Sequence, residues 1–136
     1  MKKIDSMTIH PKIRELLSHA TSEKRIEQEY EKYIQSTNRK LYVIELNGVI
    51  VGCIGIDFVS ANICEIKHIA VSPLERGSKI GSKMIDFVCD KHLLSSIFAE
   101  TDLDAVEFYE NYGFNITSLG EKYPSVERFL CEYKIQ

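Results

Sequence analysis

A chain of 136 residues, 44% hydrophobic and 27% charged, has enough apolar side chains to build one core and too many for a disordered or fibrous chain, so one domain over residues 1–136 is expected. Its formal net charge of -3 is the wrong sign for a surface that tracks phosphates, which argues against nucleic acid as a partner; a mildly acidic surface suits a cationic acceptor better. Cys53, Cys64, Cys89 and Cys131 lie far apart, with no Cys-x-x-Cys pair and no His at ligand spacing, so neither a metal site nor a disulfide framework is expected and the four read as reduced core thiols. Lys2 and Lys3 are followed by no apolar signal region, and no later run has the length of a membrane span; no membrane partner and a cytoplasmic location are expected.

In chain order, a short strand is expected before His10, and Ile13, Leu16 and Leu17 then follow helical spacing. Thr21 or Ser22 caps a second helix that carries Ile26, Tyr30, Tyr33 and Ile34 on one stripe, read as core with a tyrosine at its edge able to face a substrate. Leu41 to Leu46 and Val49 to Phe58 are β-branched and apolar, and Asn47-Gly48 between them signals a two-residue hairpin. A strand from Ile63 to Val71 ends at Ser72-Pro73, and Ile80, Met84, Phe87 and Val88 mark one face of a helix running to about Leu93. Ile97 to Glu100 reads as a short strand. Ala105, Phe108, Tyr109 and Tyr112 lie on a helix stopped by Gly113, Phe114 to Thr117 is extended, and Arg128 to Ile135 is a last strand, able to pair between subunits or to end the sheet. The pattern predicts an α/β (α+β) sandwich, a mixed and mostly antiparallel central sheet flanked by helices.

The chemistry concentrates between Ile69 and Ser82, where a strand passes through a glycine-containing turn into a helix N-terminus. The first turn of a helix leaves N–H groups without partners, and the aligned peptide dipoles place roughly half a positive charge there, so a diphosphate is a natural ligand. Arg76 adds a cation, and Gly77 and Gly81 let the backbone approach the phosphates. The same residues would also serve as an ordinary strand-to-helix turn with a surface arginine.

Arg76-Gly77-Ser78-Lys79-Ile80-Gly81 resembles the R/Q-x-x-G-x-G/A signature of the GNAT acetyltransferase superfamily. Cys64 to Val71 resembles that family's fourth strand, and Ala105 to Phe114 its later A-x-x-x-Y-x-x-x-G-F motif. The resemblance covers Leu41 to Phe114, whereas the first forty residues match only as two generic helices. It implies an acetyl-CoA donor held by Ile69, Ala70, Val71, Arg76, Gly77, Ser78, Lys79, Ile80, Gly81 and Ser82, with Asp102 at the pantetheine arm. Two departures stand out. Lys79 occupies the place of the signature's first glycine and would donate its backbone N–H if its φ were helical. Asp102 stands where many relatives carry an Asn.

Acyl transfer from a thioester to an amine needs a neutral amine, support for an oxyanion and a proton for the thiolate. The resemblance implies that the backbone N–H of Ile69 faces the thioester carbonyl, that Glu65 matches a base-carrying position, and that Tyr109 matches the general acid. Glu65 reads equally as an ion-pair partner of Lys67; by strand alternation it shares a face with Lys67, Ile69 and Val71, and His68 faces the other way as a buried, hydrogen-bonded histidine unless a bulge intervenes. Tyr109 reads otherwise as a core tyrosine. Cys53 or Cys64 as an acyl carrier lacks a neighbouring base, so direct transfer is the simpler scheme. The expected partner is an amine, of a small molecule, a peptide N-terminus or a protein lysine, with Tyr30, Tyr33 and Glu121-Lys122-Tyr123 as candidate acceptor walls. Monomer and homodimer both remain open, and the rival functions are a non-catalytic acyl-CoA sensor and an interaction module.

Overall fold

The computed structural model describes residues 1–135. Its strands are β1 (Lys2–Lys3), β2 (Arg39–Leu46), β3 (Val49–Ser60), β4 (Ile63–Val71), β5 (Ser96–Asp102), β6 (Asn115–Tyr123) and β7 (Val126–Lys134). Its α-helices are α1 (Pro11–Leu17), α2 (Ile26–Gln35), α3 (Ile80–Lys91) and α4 (Val106–Tyr112), with 3-10 turns at Glu23–Arg25 and Pro73–Glu75. One sheet runs in the order β1-β2-β3-β4-β5-β7-β6, antiparallel everywhere except between β4 and β5. This is the mixed, helix-flanked sheet that the hydrophobic pattern predicts. None of the described helices is long and apolar enough to cross a membrane.

The two faces of the sheet bury separate sets of side chains because strand residues alternate sides. Met84, Ile85 and Val88 of α3 pack with Ile54, Ile56, Cys64, Ile66 and Ile97 on one face. Leu16, Leu17, Ile26, Tyr30 and Tyr33 from α1 and α2 pack with Leu41, Val43, Cys53 and Ala70 on the other. Each fully buried Leu or Ile stabilises the fold by roughly 1.5–3 kcal/mol, so both helical layers are firmly held. At the hairpin, Asn47 and Gly48 have φ of 53° and 79°, the left-handed pair that a two-residue turn needs.

Three sequence expectations change. The capping position before α2 is taken over by a 3-10 turn: Ser22 precedes that turn without a side-chain cap bond, and Arg25 is the residue at the start of α2. The strand after Gly113 continues to Tyr123 instead of stopping at Thr117; its outer residues are nearly all exposed, so no apolar alternation marks them. It forms a hairpin with β7, and the last strand therefore lies between β5 and β6. The sheet ends at β1 and β6, and Arg128 to Ile135 is not an edge.

The feature that positions the site is the divergence of β4 from β5. These strands pair only at Ile63, Cys64 and Glu65 against Ser96, Ile97 and Phe98. From Ile66 to Val71, β4 is paired with β3 alone. The β3–β4 register also slips, since Gly55 opposes His68 while Ile56 opposes Ile66, leaving Lys67 as an extra residue. This bulge inverts the alternation. Cys64 and Ile66 pack on the α3 side together with Ile69 and Val71, whereas His68 meets Tyr33 of α2 and Ala70 joins the α1/α2 layer. Glu65 therefore does not share a face with Ile69 and Val71; it shares one with His68.

Candidate active site

The opening between β4 and β5 is a hollow of about 360 Å³ lined by Ile69, Ala70, Val71, Gly81, Asp102 and Tyr109, among others. A second hollow, of about 670 Å³, is lined by Arg76, Gly77, Lys79, Ile80, Gly81 and Ser82. Val71, Gly81 and Phe108 line both, so a single groove runs from the open edge of β4 to the N-terminus of α3. Of the sequence-predicted cofactor residues, only Ser78 lies outside it: its hydroxyl donates to the carbonyl of Glu75 and closes the turn.

No side chain caps α3, so the first-turn N–H groups are left for a ligand. Lys79, at the N-cap, has φ 64° and ψ 24°, left-handed rather than right-handed helical as its sequence reading required. The reason the signature has glycine there is now visible, because an L side chain in this conformation crowds its own carbonyl. Gly77 at φ 90° meets the same requirement with the residue that tolerates it. Gly81 is needed for a different reason: a Cβ there would stand 2.8 Å from the Phe108 ring, so its absence lets α4 close against α3. The Arg76 side chain is exposed and its Nε lies 3.4 Å from the Val71 carbonyl. Open N–H groups, a strand edge without a partner and a glycine against Phe108 together fit an extended diphosphate-bearing thioester.

Tyr109 is buried, and burial, followed by the nearby Cys131, raises its phenol pKa, which keeps the group protonated. Its hydroxyl makes no hydrogen bond among the described residues, and the residue lines the β4–β5 hollow. Asp102 turns one carboxylate oxygen onto the N–H groups of Asp104 (3.1 Å) and Ala105 (3.2 Å) and so fixes the entry to α4. The Asp102 side chain is thus engaged with its own backbone. All four cysteines are buried and free, and burial pushes Cys53 and Cys64 up to about 12, so neither is a ready thiolate nucleophile.

A third hollow, of about 360 Å³, continues behind the bulge and is lined by Thr21, Arg25, Glu29, Glu65, Lys67, His68, Glu100 and Arg128. Ile66, Lys67, His68, Glu100 and Arg128 line both this polar hollow and the β4–β5 opening, which makes them the joint between the two. Glu65 sits here, 3.5 Å from the Lys67 ammonium. His68 Nδ1 is 2.5 Å from the Tyr33 hydroxyl, and its Nε2 is 3.7 Å from Glu29 Oε1. Burial outweighs Glu29 and lowers the His68 pKa to about 4, so the ring is neutral at pH 7. Burial would raise Glu29, but Lys32 at 3.0 Å, with His68 and Arg39, draws it below the usual range. The contact between Tyr33 and His68 exists because residue 55 is glycine: a Cβ there would lie 1.9 Å from the Tyr33 oxygen.

Tyr30 and Tyr33, expected as acceptor walls, line neither the groove nor the polar hollow. Both are core residues, with the Tyr30 hydroxyl donating to the Ser6 carbonyl at 2.7 Å. Lys122 does reach the site, bonding Glu100 at 2.8 Å. Arg25, Glu100, Phe108 and Arg128 escaped the sequence reading. Only Phe108 carried a signal there, as the neighbour of Tyr109 in the helix motif; the others come together through strand pairing and the fold of the α1–α2 loop.

Residues 10–114 match the family model described as Acetyltransferase (GNAT) family. A GNAT family acetyltransferase from Elizabethkingia anophelis with acetyl-CoA bound is similar in structure, with a TM-score of 0.75 at 21% identity over 98% of this chain and 96% of that one. An aminoglycoside 6'-N-acetyltransferase complexed with coenzyme A gives a TM-score of 0.80 at 16% identity, covering 100% of this chain and 98% of that one. The ribosomal-protein-S18-alanine N-acetyltransferase of Escherichia coli gives 0.76 at 18% identity, covering 93% and 87%. With its family match spanning more than three quarters of the chain and beginning already at residue 10, the chain belongs to the GNAT acetyltransferase family.

Proposed function

We propose that this chain is an N-acetyltransferase that moves the acetyl group of acetyl-CoA directly onto a primary amine. The observation that carries the reading is the continuous groove from the N-terminus of α3 to the open edge of β4, with a protonated phenol in its wall. Acetyl-CoA supplies an activated thioester. The N–H groups at the start of α3, with Arg76 beside them, hold the diphosphate, and Ile69, Ala70 and Val71 offer their backbone to the pantetheine as a neighbouring strand would. The Ile69 N–H supports the developing oxyanion. Tyr109 donates to the leaving sulfur. Because burial weakens the phenol as an acid, its contribution is a hydrogen bond to the charge growing on sulfur more than a complete early proton transfer. Glu65, in the polar hollow beside Lys67, receives the amine's proton from the acceptor side.

The relatives named above act on an aminoglycoside and on a ribosomal-protein alanine, so the fold itself leaves the acceptor to local features. The direct test is release of free coenzyme A from acetyl-CoA across amino acids, peptides, polyamines and aminoglycosides, alongside a thermal shift with acetyl-CoA alone. A shift on acetyl-CoA addition and release with at least one amine class are expected. A melting temperature that acetyl-CoA does not move would remove the reading; a shift without release on any amine would leave a binding module instead.

A further inference from the structure

The whole chain is acidic, yet the polar hollow is not. Arg25, Lys67 and Arg128 stand in its wall against Glu29, Glu65 and Glu100. Each of these carboxylates already has a cation of its own. Glu65 is matched by Lys67 at 3.5 Å. Glu29 is matched by Lys32 at 3.0 Å and by Arg39 at 3.3 Å, the latter shared with Asp57. Glu100 is matched by Lys122 at 2.8 Å. His68 is neutral and adds nothing to either side. Two guanidiniums are then in surplus. Arg25 reaches Glu29 only at 4.0 Å, and its side chain is 63% exposed. Arg128 uses Nε on Glu100 Oε2 at 3.3 Å and one terminal nitrogen on the Glu100 carbonyl at 3.5 Å, leaving donors of its planar fork unclaimed.

Resting on the function proposed above, we infer that the acceptor is a small amine that also bears a carboxylate, with the carboxylate held between Arg25 and Arg128. The amine reaches the β4–β5 opening past His68 and Lys67, which line both hollows. A guanidinium fork matches a carboxylate in two parallel hydrogen bonds, and two such forks facing one hollow repel a second ammonium. The same wall therefore selects an amino acid over its amide and disfavours polyamines and aminoglycosides. Arg25 comes from the turn before α2 and lines only the polar hollow, whereas Arg128, from β7, stands at the joint between that hollow and the β4–β5 opening.

The test takes the protein saturated with acetyl-CoA and compares kcat/KM for the proteinogenic amino acids, for their α-amides and for spermidine, with binding of the same compounds to the coenzyme A complex by calorimetry. At least one amino acid should exceed its amide by about tenfold or more, and spermidine should be worse than either. In Arg25→Gln and Arg128→Gln the preference for acid over amide should fall toward parity through KM, and Arg128→Lys should restore part of it. Amides or spermidine turned over as well as the acids, or a preference unchanged in both variants, overturns the inference. Amino acids that bind the coenzyme A complex through Arg25 and Arg128 but are never acetylated would sink the enzyme reading and leave the carboxylate site standing. If neither binding nor turnover favours any amino acid, the carboxylate site is refuted.

Discussion

Replacing Lys79 by glycine separates backbone strain from charge at the phosphate-binding turn. The residue is exposed and lies at φ 64°, ψ 24°. Holding an L residue in that region costs roughly 1–2 kcal/mol, while a glycine gives back about 0.5–1 kcal/mol through the freedom of the unfolded chain, so Lys79→Gly should gain about 0.5–1 kcal/mol. In a domain of this size that is a rise in melting temperature of roughly 2–4 °C. Lys79→Ala removes the ammonium and keeps the strain, so it should melt below Lys79→Gly by a similar margin. For cofactor affinity the two variants should behave alike. An exposed ammonium near a diphosphate is worth about 0.2–1 kcal/mol, at most about a fivefold change in Kd, and salt should shrink even that. Scanning calorimetry and titration with coenzyme A at two salt concentrations read both quantities. Lys79→Gly melting below Lys79→Ala would refute the strain argument, and a loss of affinity above about tenfold, or 1.4 kcal/mol, in both variants would make the ammonium a phosphate ligand in its own right.

Tyr109→Phe should lower kcat by about tenfold to a hundredfold with nearly unchanged acetyl-CoA binding, since the ring stays packed and only the donor is lost; undiminished turnover would remove it from the mechanism. Glu65→Gln should reduce kcat by on the order of 10² with an acceptor of pKa near 10 and much less with an α-amine near 8, because only the first depends strongly on a base; equal effects on both would point to a structural role with Lys67. Gly55→Ala should cost about 2–4 kcal/mol, because its Cβ would displace the Tyr33 hydroxyl from His68, and a melting temperature within a degree of wild type would contradict the packing. His68 titrates near 4 when folded, below its unfolded value of 6.5, so the stability it contributes is complete above pH 6.5 and is lost as pH falls through 4. At about 1.4 kcal/mol per unit this is on the order of 3 kcal/mol, and urea midpoints across that range should fall less steeply in His68→Asn; parallel curves would show that the imidazole is not what titrates.

The donor side of the site was legible because its requirements are local. A helix N-terminus, glycines at fixed spacing and a tyrosine at fixed distance from Gly113 are written within short windows, and the groove gathers nearly all of them. What was not legible depends on pairs far apart in sequence. The slip that isolates Lys67 comes from the register between β3 and β4, so the face of Glu65 could not be read by counting along β4 alone. Arg128 reaches the cleft because β7 inserts beside β5, where it opposes Asp102, a placement that the exposed residues of β6 gave no reason to expect. Tyr33 looked like an amphipathic core residue and is one, but its hydroxyl has a partner only because glycine at 55 leaves room across the strand.

The bulge does more than redirect one glutamate. A strand edge left without hydrogen bonds is unfavourable wherever the groups cannot reach water or a ligand, and β4 presents such an edge from Ile66 to Val71. The chain keeps it open by anchoring the opposite face. His68, adjacent to Ile69, is tied to Tyr33 of α2, and Glu29 of the same helix is fixed by Arg39 of β2, which also holds Asp57 of β3. The acceptor-side helical layer and the donor-side backbone thus meet at one pair of consecutive residues, 68 and 69. On the function proposed above, a displacement of α2 by an acceptor in the polar hollow would be carried through the buried Tyr33–His68 hydrogen bond to the residue beside Ile69. On that reading the alignment of amine and thioester would depend on the same joint, residues 68 and 69, at which β4 has already parted from β5.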